Sequence, residues 1–132
     1  MTAVPEVLFV CAHNAGRSQM AAAILDHEAA GRVRVTSAGS QPADQLNSAV
    51  VQAMAEIGLD ISGESPRRLS TDHVQSADIV ITMGCGDACP VYAGKRYLDW
   101  DLPDPTGLDL PAVRSIRDEI RRRVLALVSE VI

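Results

Sequence analysis

Four apolar residues, Val7-Leu8-Phe9-Val10, run directly into Cys11-Ala12-His13-Asn14-Ala15-Gly16-Arg17-Ser18, and an Ala-rich stretch, Met20 to Leu25, follows. This order reads as a buried strand, a tight loop and a helix, and it constrains the fold more than any other feature of the chain. Such a junction leaves free backbone N–H groups at the helix N-terminus, where the helix dipole also favours an anion. A loop whose successive N–H groups point inward forms a concave anion nest of the same kind. Arg17 adds a planar fork suited to two oxyanion oxygens. The same field favours the ionised, nucleophilic form of the Cys11 thiol. Cys11 is therefore the candidate nucleophile, and His13, Asn14, Ala15, Gly16, Arg17 and Ser18 are candidate oxyanion-binding residues. Taken singly, Cys11 would be a buried strand-end thiol and Arg17 a surface residue. Their convergence in the strand–loop–helix context favours chemistry.

The remaining pattern predicts strands alternating with helices. The first helix runs from Ser18 to about Ala30, with Gly31 as its stop. Val33 to Ser37 alternates and reads as a second strand. Asn47 or Ser48 caps a helix whose apolar positions Val50, Ala53, Met54 and Ile57 recur at helical spacing, and Gly58 ends it. Ser70 opens a short helix over 71–76. Ala77 to Met83 is nearly continuous and apolar, as a strand covered on both faces should be. Lys95 to Trp100 suggests a short fourth strand. Asp109 caps a last helix with Pro111 in its first turn, and Val113, Ile116, Ile120, Val124, Leu127 and Val131 form its apolar stripe. Arg121, Arg122 and Arg123 fall on its solvated side. The prediction is a single α/β domain over 1–132: a four-stranded parallel sheet with helices on both faces. Right-handed crossovers then place every strand's C-terminal end, and with it Cys11, Ser37, Cys85 and Asp104, along one edge.

Composition limits the partners. A net charge of −5 across 132 residues argues against nucleic acid, and any anion site must concentrate positive potential locally, as at Arg17. No run is long enough for a membrane span and no signal pattern opens the chain, so the expected location is the cytoplasm. Three cysteines in a reducing compartment favour catalysis or metal binding over structural disulfides. A zinc site would need about four ligands, and only scattered His13, His27 and His73 could join the cysteines.

The spacing Cys11-x5-Arg17-Ser18 resembles the phosphate-binding loop of the low-molecular-weight protein tyrosine phosphatase fold, which is shared by phosphotyrosine phosphatases and one class of arsenate reductases. The resemblance implies two reactions. In a phosphatase, Cys11 attacks a phosphate ester, and Asp104 of Asp104-Pro105 matches the family's general acid; read alone, Asp104 is a turn residue before proline. In an arsenate reductase, Cys11 attacks arsenate and a second thiolate then attacks Cys11 and expels arsenite. Cys85 and Cys89, in Gly84-Cys85-Gly86-Asp87-Ala88-Cys89-Pro90, supply the further thiols, with Cys85 resolving and a Cys85–Cys89 disulfide left for an outside reductant. Together with Gln19-Met20-Ala21 and Ser37-Ala38-Gly39, this segment is similar to bacterial arsenate reductases of the fold. Thr106-Gly107 stands where the phosphatases carry aromatics after Asp-Pro, which counts against an aryl phosphate.

What the resemblance implies beyond the loop is an external thiol reductant with no bound cofactor: thioredoxin, or mycothiol with mycoredoxin. Some relatives bind potassium through a carboxylate one turn into the first helix; Ala22 stands there, so no metal is expected. Asn14 and Ser18 are candidates to hydrogen-bond within the loop or to the Cys11 sulfur, and Ser37 to brace Asn14, unless each is an ordinary turn or cap residue.

Overall fold

The computed structural model of the chain describes residues 4–83 and 95–131. The elements are β1 (Glu6–Cys11), α1 (Arg17–Ala29), β2 (Arg34–Gly39), α2 (Ser48–Ala55), α3 (Thr71–Ser76), β3 (Ile79–Thr82), β4 (Arg96–Asp99) and α4 (Leu110–Val131). The four strands form one parallel sheet in the order β2-β1-β3-β4. Strand β1 is central and wholly buried, which explains its unbroken apolar run.

The two faces of β1 feed two cores. Val7, Phe9 and Cys11 join the larger one, with Met20 and Ile24 of α1, Val50 and Met54 of α2, and Ile120 and Val124 of α4. Leu8 and Val10 join the smaller one, with Ala38, Val80 and Val74 of α3. Helices thus cover both faces unequally, three against one among the described elements. Phe9 meets Trp100 at a ring-centroid distance of 5.7 Å, tying the start of the 100–109 loop to the core. Each fully buried Leu, Ile, Val or Phe contributes about 1.5–3 kcal/mol.

Several predicted boundaries move by one or two residues. Strand β2 continues through Ala38 to Gly39, because the register with β1 pairs Cys11 with Gly39. Helix α1 ends at Ala29, and the left-handed reversal spans both Ala30 (φ 50°) and Gly31 (φ 87°). Helix α2 stops at Ala55, short of Ile57, before a turn that needs Gly58 at φ 81°. Of the two candidate caps for α2, Asn47 is the one used: its side chain accepts from the N–H groups of Ala49 and Val50. Ser70 caps α3 in a reciprocal box completed by His73, whose ring nitrogen accepts from the Ser70 N–H at 3.1 Å. Asp109 Oδ1 accepts the Ala112 N–H at 3.1 Å at the start of α4. No described helix is long and apolar enough to cross a membrane.

Candidate active site

The loop between β1 and α1 owes its shape to where its carbonyls go. Six consecutive ones point outward to partners. Cys11 O accepts from Ser40 N at 3.3 Å, Ala12 O from Gln41 N at 2.8 Å and His13 O from Ala43 N at 3.0 Å. Ala15 O accepts from Asn47 N at 3.0 Å and Gly16 O from Met20 N at 2.9 Å. Asn14 O accepts from Gln19 Nε2 at 3.2 Å. With the carbonyls turned out, the intervening N–H groups turn the other way. Among the described residues, no protein acceptor takes the N–H of residues 12, 13, 15, 16, 17 or 18. This is the donor ring that an oxyanion requires.

The Cys11 thiol lies within that ring and is buried. Asn14 N donates to its Sγ at 3.2 Å, and Ser18 Oγ lies 2.9 Å from it. Asn14 Nδ2 donates to Ser18 Oγ at 2.7 Å, which leaves the hydroxyl proton free to point at sulfur. Asn14 can hold this geometry because it adopts a left-handed backbone (φ 49°), which asparagine tolerates better than most residues.

The brace on Asn14 differs from expectation. Its Oδ1 accepts from Gln19 Nε2 at 3.1 Å and from Arg67 N at 2.9 Å. Ser37 lies buried on β2, paired with Phe9, and makes no hydrogen bond to Asn14 among the described residues. The reason is topological. Gly39 N donates to Arg67 O and Leu69 N donates to Gly39 O, so the 65–69 segment extends along the end of β2 and delivers the Arg67 amide. Gly39 itself must lack a side chain: a Cβ there would sit 2.8 Å from Ala12 O and 3.0 Å from Asn14 N.

Across the mouth lies the Asp104-Pro105 loop. Arg17 is buried; its NH1 donates to Leu102 O at 3.2 Å and its NH2 sits 3.9 Å from Asp104 Oδ2. Asp104 Oδ1 accepts from Thr106 N at 3.0 Å and Thr106 Oγ1 at 2.8 Å. Partial burial pushes the Asp104 carboxyl up, but the Thr106 hydrogen bonds, Arg17 and His13 outweigh it and hold it below the usual carboxylate range. His13 Nδ1 lies 3.2 Å from Gln41 O, and its Nε2 is 4.0 Å from Asp104 Oδ2. Pro105 is seated on the loop: a Cβ on Gly16 would meet Pro105 Cγ at 2.6 Å. Asn47 spans both parts, donating its N–H to Ala15 O at 3.0 Å and its Nδ2 to Pro105 O at 3.5 Å.

The cleft between these parts is narrow, about 20 Å³, and is lined by His13, Ala15, Gly16, Arg17, Asn47, Asp104, Pro105 and Thr106. A larger cavity of about 410 Å³ lies beside α1 and the edge of β2; Ser37 lines it, but Cys11 does not. His13, Ala15, Gly16 and Arg17 meet Asp104 at the small cleft, and Cys11, Asn14 and Ser18 are buried in the same loop; Cys85 and Cys89 lie outside the described residues. Among the described residues, no cluster of three His, Cys, Asp or Glu side chains could hold a metal ion.

Comparison with known proteins places this site in context. A family profile described as low molecular weight phosphotyrosine protein phosphatase matches residues 6–132. A relative from Halobacterium salinarum, named provisionally as an arsenate reductase, is 42% identical over 127 residues, spanning 92% of this chain and 89% of its own. The solved thioredoxin-dependent arsenate reductase of Corynebacterium glutamicum superposes with a TM-score of 0.84 at 45% identity. That match covers 98% of this chain and 62% of the neighbour's, so this chain spans under two thirds of that protein. An arsenate reductase solved in a phosphate-binding state superposes with a TM-score of 0.85 at 31% identity, covering 97% and 99% of the two chains.

Proposed function

The chain belongs to the low molecular weight phosphotyrosine protein phosphatase family, and from that premise we propose that it reduces arsenate to arsenite with electrons from an external thiol reductant. The observation that carries this reading is the ring of unpaired loop amides around a hydrogen-bonded Cys11 sulfur. A tetrahedral oxyanion seated on those amides presents its central atom to Sγ, and Arg17 neutralises its charge. Cys11 attacks arsenic; a sulfur–arsenic bond forms, an arsenic–oxygen bond breaks, and the departing oxygen leaves as water after taking a proton. Cys85 thiolate then attacks Cys11 Sγ. The sulfur–arsenic pair of electrons stays on arsenic, which leaves as trivalent arsenite, and a Cys11–Cys85 disulfide remains. Cys89 displaces Cys11, and the resulting Cys85–Cys89 disulfide passes to the reductant.

The sheet supports this relay. Thr82 is in register with Val10, and Met83 N donates to Val10 O at 2.7 Å, so the chain leaves β3 beside the strand that ends in Cys11. Two residues further on stands Cys85. The comparisons with arsenate reductases favour the same reading, and thioredoxin is the reductant that an internal cysteine pair suits best. Phosphate-ester hydrolysis is the second reading, because Asp104 stands beside Arg17 where a leaving oxygen would need a proton.

The test is arsenate-dependent NADPH oxidation, with thioredoxin and its reductase in one assay and mycothiol with mycoredoxin in the other. Cys11→Ser abolishes turnover. Cys85→Ser permits one turnover at most with the thioredoxin system, and sustained turnover refutes the internal relay. Rapid hydrolysis of aryl phosphates without arsenate-dependent oxidation establishes the second reading instead.

A further inference from the structure

Five of the loop's six outward carbonyls are held by backbone N–H groups. The sixth, Asn14 O, is held by a side chain, Gln19 Nε2 at 3.2 Å. Gln19 is 4% exposed, and its amide faces three acceptors: Asn14 O, Asn14 Oδ1 at 3.1 Å and Ser65 O at 3.4 Å. Two of these are main-chain carbonyls, which only accept. The third is fixed as an oxygen by the Arg67 N–H, a main-chain donor 2.9 Å away. Nitrogen, not oxygen, therefore faces all three. Gln19 thus grips Asn14 by its main chain and its side chain together. Asn14 is the one residue of the loop with a left-handed backbone (φ 49°), and such a residue curves successive N–H groups into an anion nest. A trans peptide is planar, and its C=O and N–H point opposite ways. The bond that holds Asn14 O outward therefore holds the Ala15 N–H inward, and among the described residues no protein acceptor takes that N–H.

We propose that Gln19 positions the Ala15 N–H for the oxyanion, so that a residue outside the ring of amides sets the affinity of the site. This rests on the reading that the amide ring seats an oxyanion. Gln19 touches no substrate; it acts through Asn14 and is a positioning residue. Asn14 is fully buried, so loss of the Gln19 donor leaves its carbonyl oxygen without a partner and out of reach of bulk water. The 14–15 peptide is then free to turn that oxygen toward another donor, and the same turn takes the Ala15 N–H out of the ring. The remaining carbonyls keep their backbone partners, so the rest of the ring stays in place.

The experiment uses the full chain with inorganic phosphate as the probe. Binding is read as protection of Cys11 from iodoacetamide and as shifts of the backbone amide resonances in NMR spectra. Gln19→Met keeps the length of the side chain but has no donor. Ile24→Val trims a buried side chain elsewhere in α1 and leaves Gln19 untouched. Gln19→Met is expected to bind phosphate about tenfold more weakly, the low end for losing a hydrogen bond to a charged group, while Ile24→Val binds it as wild type does. In wild type the Ala15 N–H resonance moves downfield as phosphate is added. In Gln19→Met at saturating phosphate that shift is lost, while those of Arg17 and Ser18 persist. Wild-type affinity in Gln19→Met, or an equal loss in Ile24→Val, overturns the proposal. So does a wild-type Ala15 resonance that phosphate leaves in place, a measurement that stands even if no variant folds. Arsenate turnover is scored separately. Phosphate binding in the expected pattern without arsenate reduction refutes the activity reading and supports this one. Arsenate turnover with an unchanged KM in Gln19→Met refutes this one and leaves the activity reading standing.

Discussion

Replacing Gly16 with alanine tests whether the Asp104-Pro105 loop is positioned by contact with the oxyanion loop. The new methyl would lie 2.6 Å from Pro105 Cγ and 3.6 Å from its Cδ, with Val50 Cγ2 at 3.5 Å behind it. Carbon atoms rest at about 3.5 Å or more, so something must give by about 1 Å. The methyl cannot retreat, because Val50 is fully buried in the core. The Pro105 ring is stiff and moves as a unit with Asp104. Overpacking of this size costs about 1–3 kcal/mol, a fall in melting temperature of about 3–10 °C. Moving Asp104 by about 1 Å from its place beside Arg17 costs up to about 100-fold in kcat. Thermal melts, arsenate turnover and the rate of Cys11 alkylation by iodoacetamide separate the terms. Alkylation stays at the wild-type rate, since the sulfur's contacts are to Asn14 and Ser18. Unchanged kcat and melting temperature would refute the packing; alkylation falling in step with kcat would show that the cradle itself was damaged.

Other perturbations probe the remaining parts. Ser18→Ala removes a donor to Cys11 Sγ; a hydrogen bond to a charged group is worth about 1.5–3 kcal/mol, so alkylation at neutral pH and kcat both fall by about tenfold or more. Gly39→Ala sets a methyl against backbone atoms, Ala12 O at 2.8 Å and Asn14 N at 3.0 Å, and lowers the melting temperature more than Gly16→Ala because no side chain can yield. Glu56 is held at about 2 against an ordinary 4.5, first by its hydrogen bond to Arg114 and then, against burial, by Arg117. Its depressed carboxyl stabilises the fold above pH 4.5 and ceases to as pH falls through about 2, so Glu56→Gln flattens that part of the acid-unfolding profile.

How much of this was legible in the sequence depended on range. The strand–loop–helix junction, the parallel sheet and the caps at Asn47, Ser70 and Asp109 were readable, because apolar periodicity and capping chemistry act within a few residues. The bond from Arg67 N to Asn14 Oδ1 joins residues 53 apart, and that from Arg17 to Leu102 O joins residues 85 apart. Neither leaves a local pattern. Ser37 was a candidate brace, or else an ordinary turn residue, because it stands near the end of the neighbouring strand; the braces come from Gln19, in the first turn of α1, and from a segment with no periodicity. Gln19 alone carried a signal, as the polar residue directly before the apolar run Met20 to Leu25. The Gly16 and Gly39 requirements are equally non-local, since each depends on which chain passes nearby. Arg122 and Arg123 pair with Glu119 on the solvated side of α4, as expected, whereas Arg117 is buried against Ala53 O and Glu56.

The outward-facing carbonyls of the loop have a consequence for transplantation. Four of the six are held by the 40–43 turn and Asn47, which belong to neither flanking element. A graft of the eight-residue loop onto another strand–helix junction would carry over a thiol and an arginine but not the curvature that aims the amides. The portable unit is larger, running from the first strand through the cap of the second helix. Within it, neutral drift in the 40–43 turn is limited to changes that keep its amides in place, though no side chain there need ever touch an oxyanion.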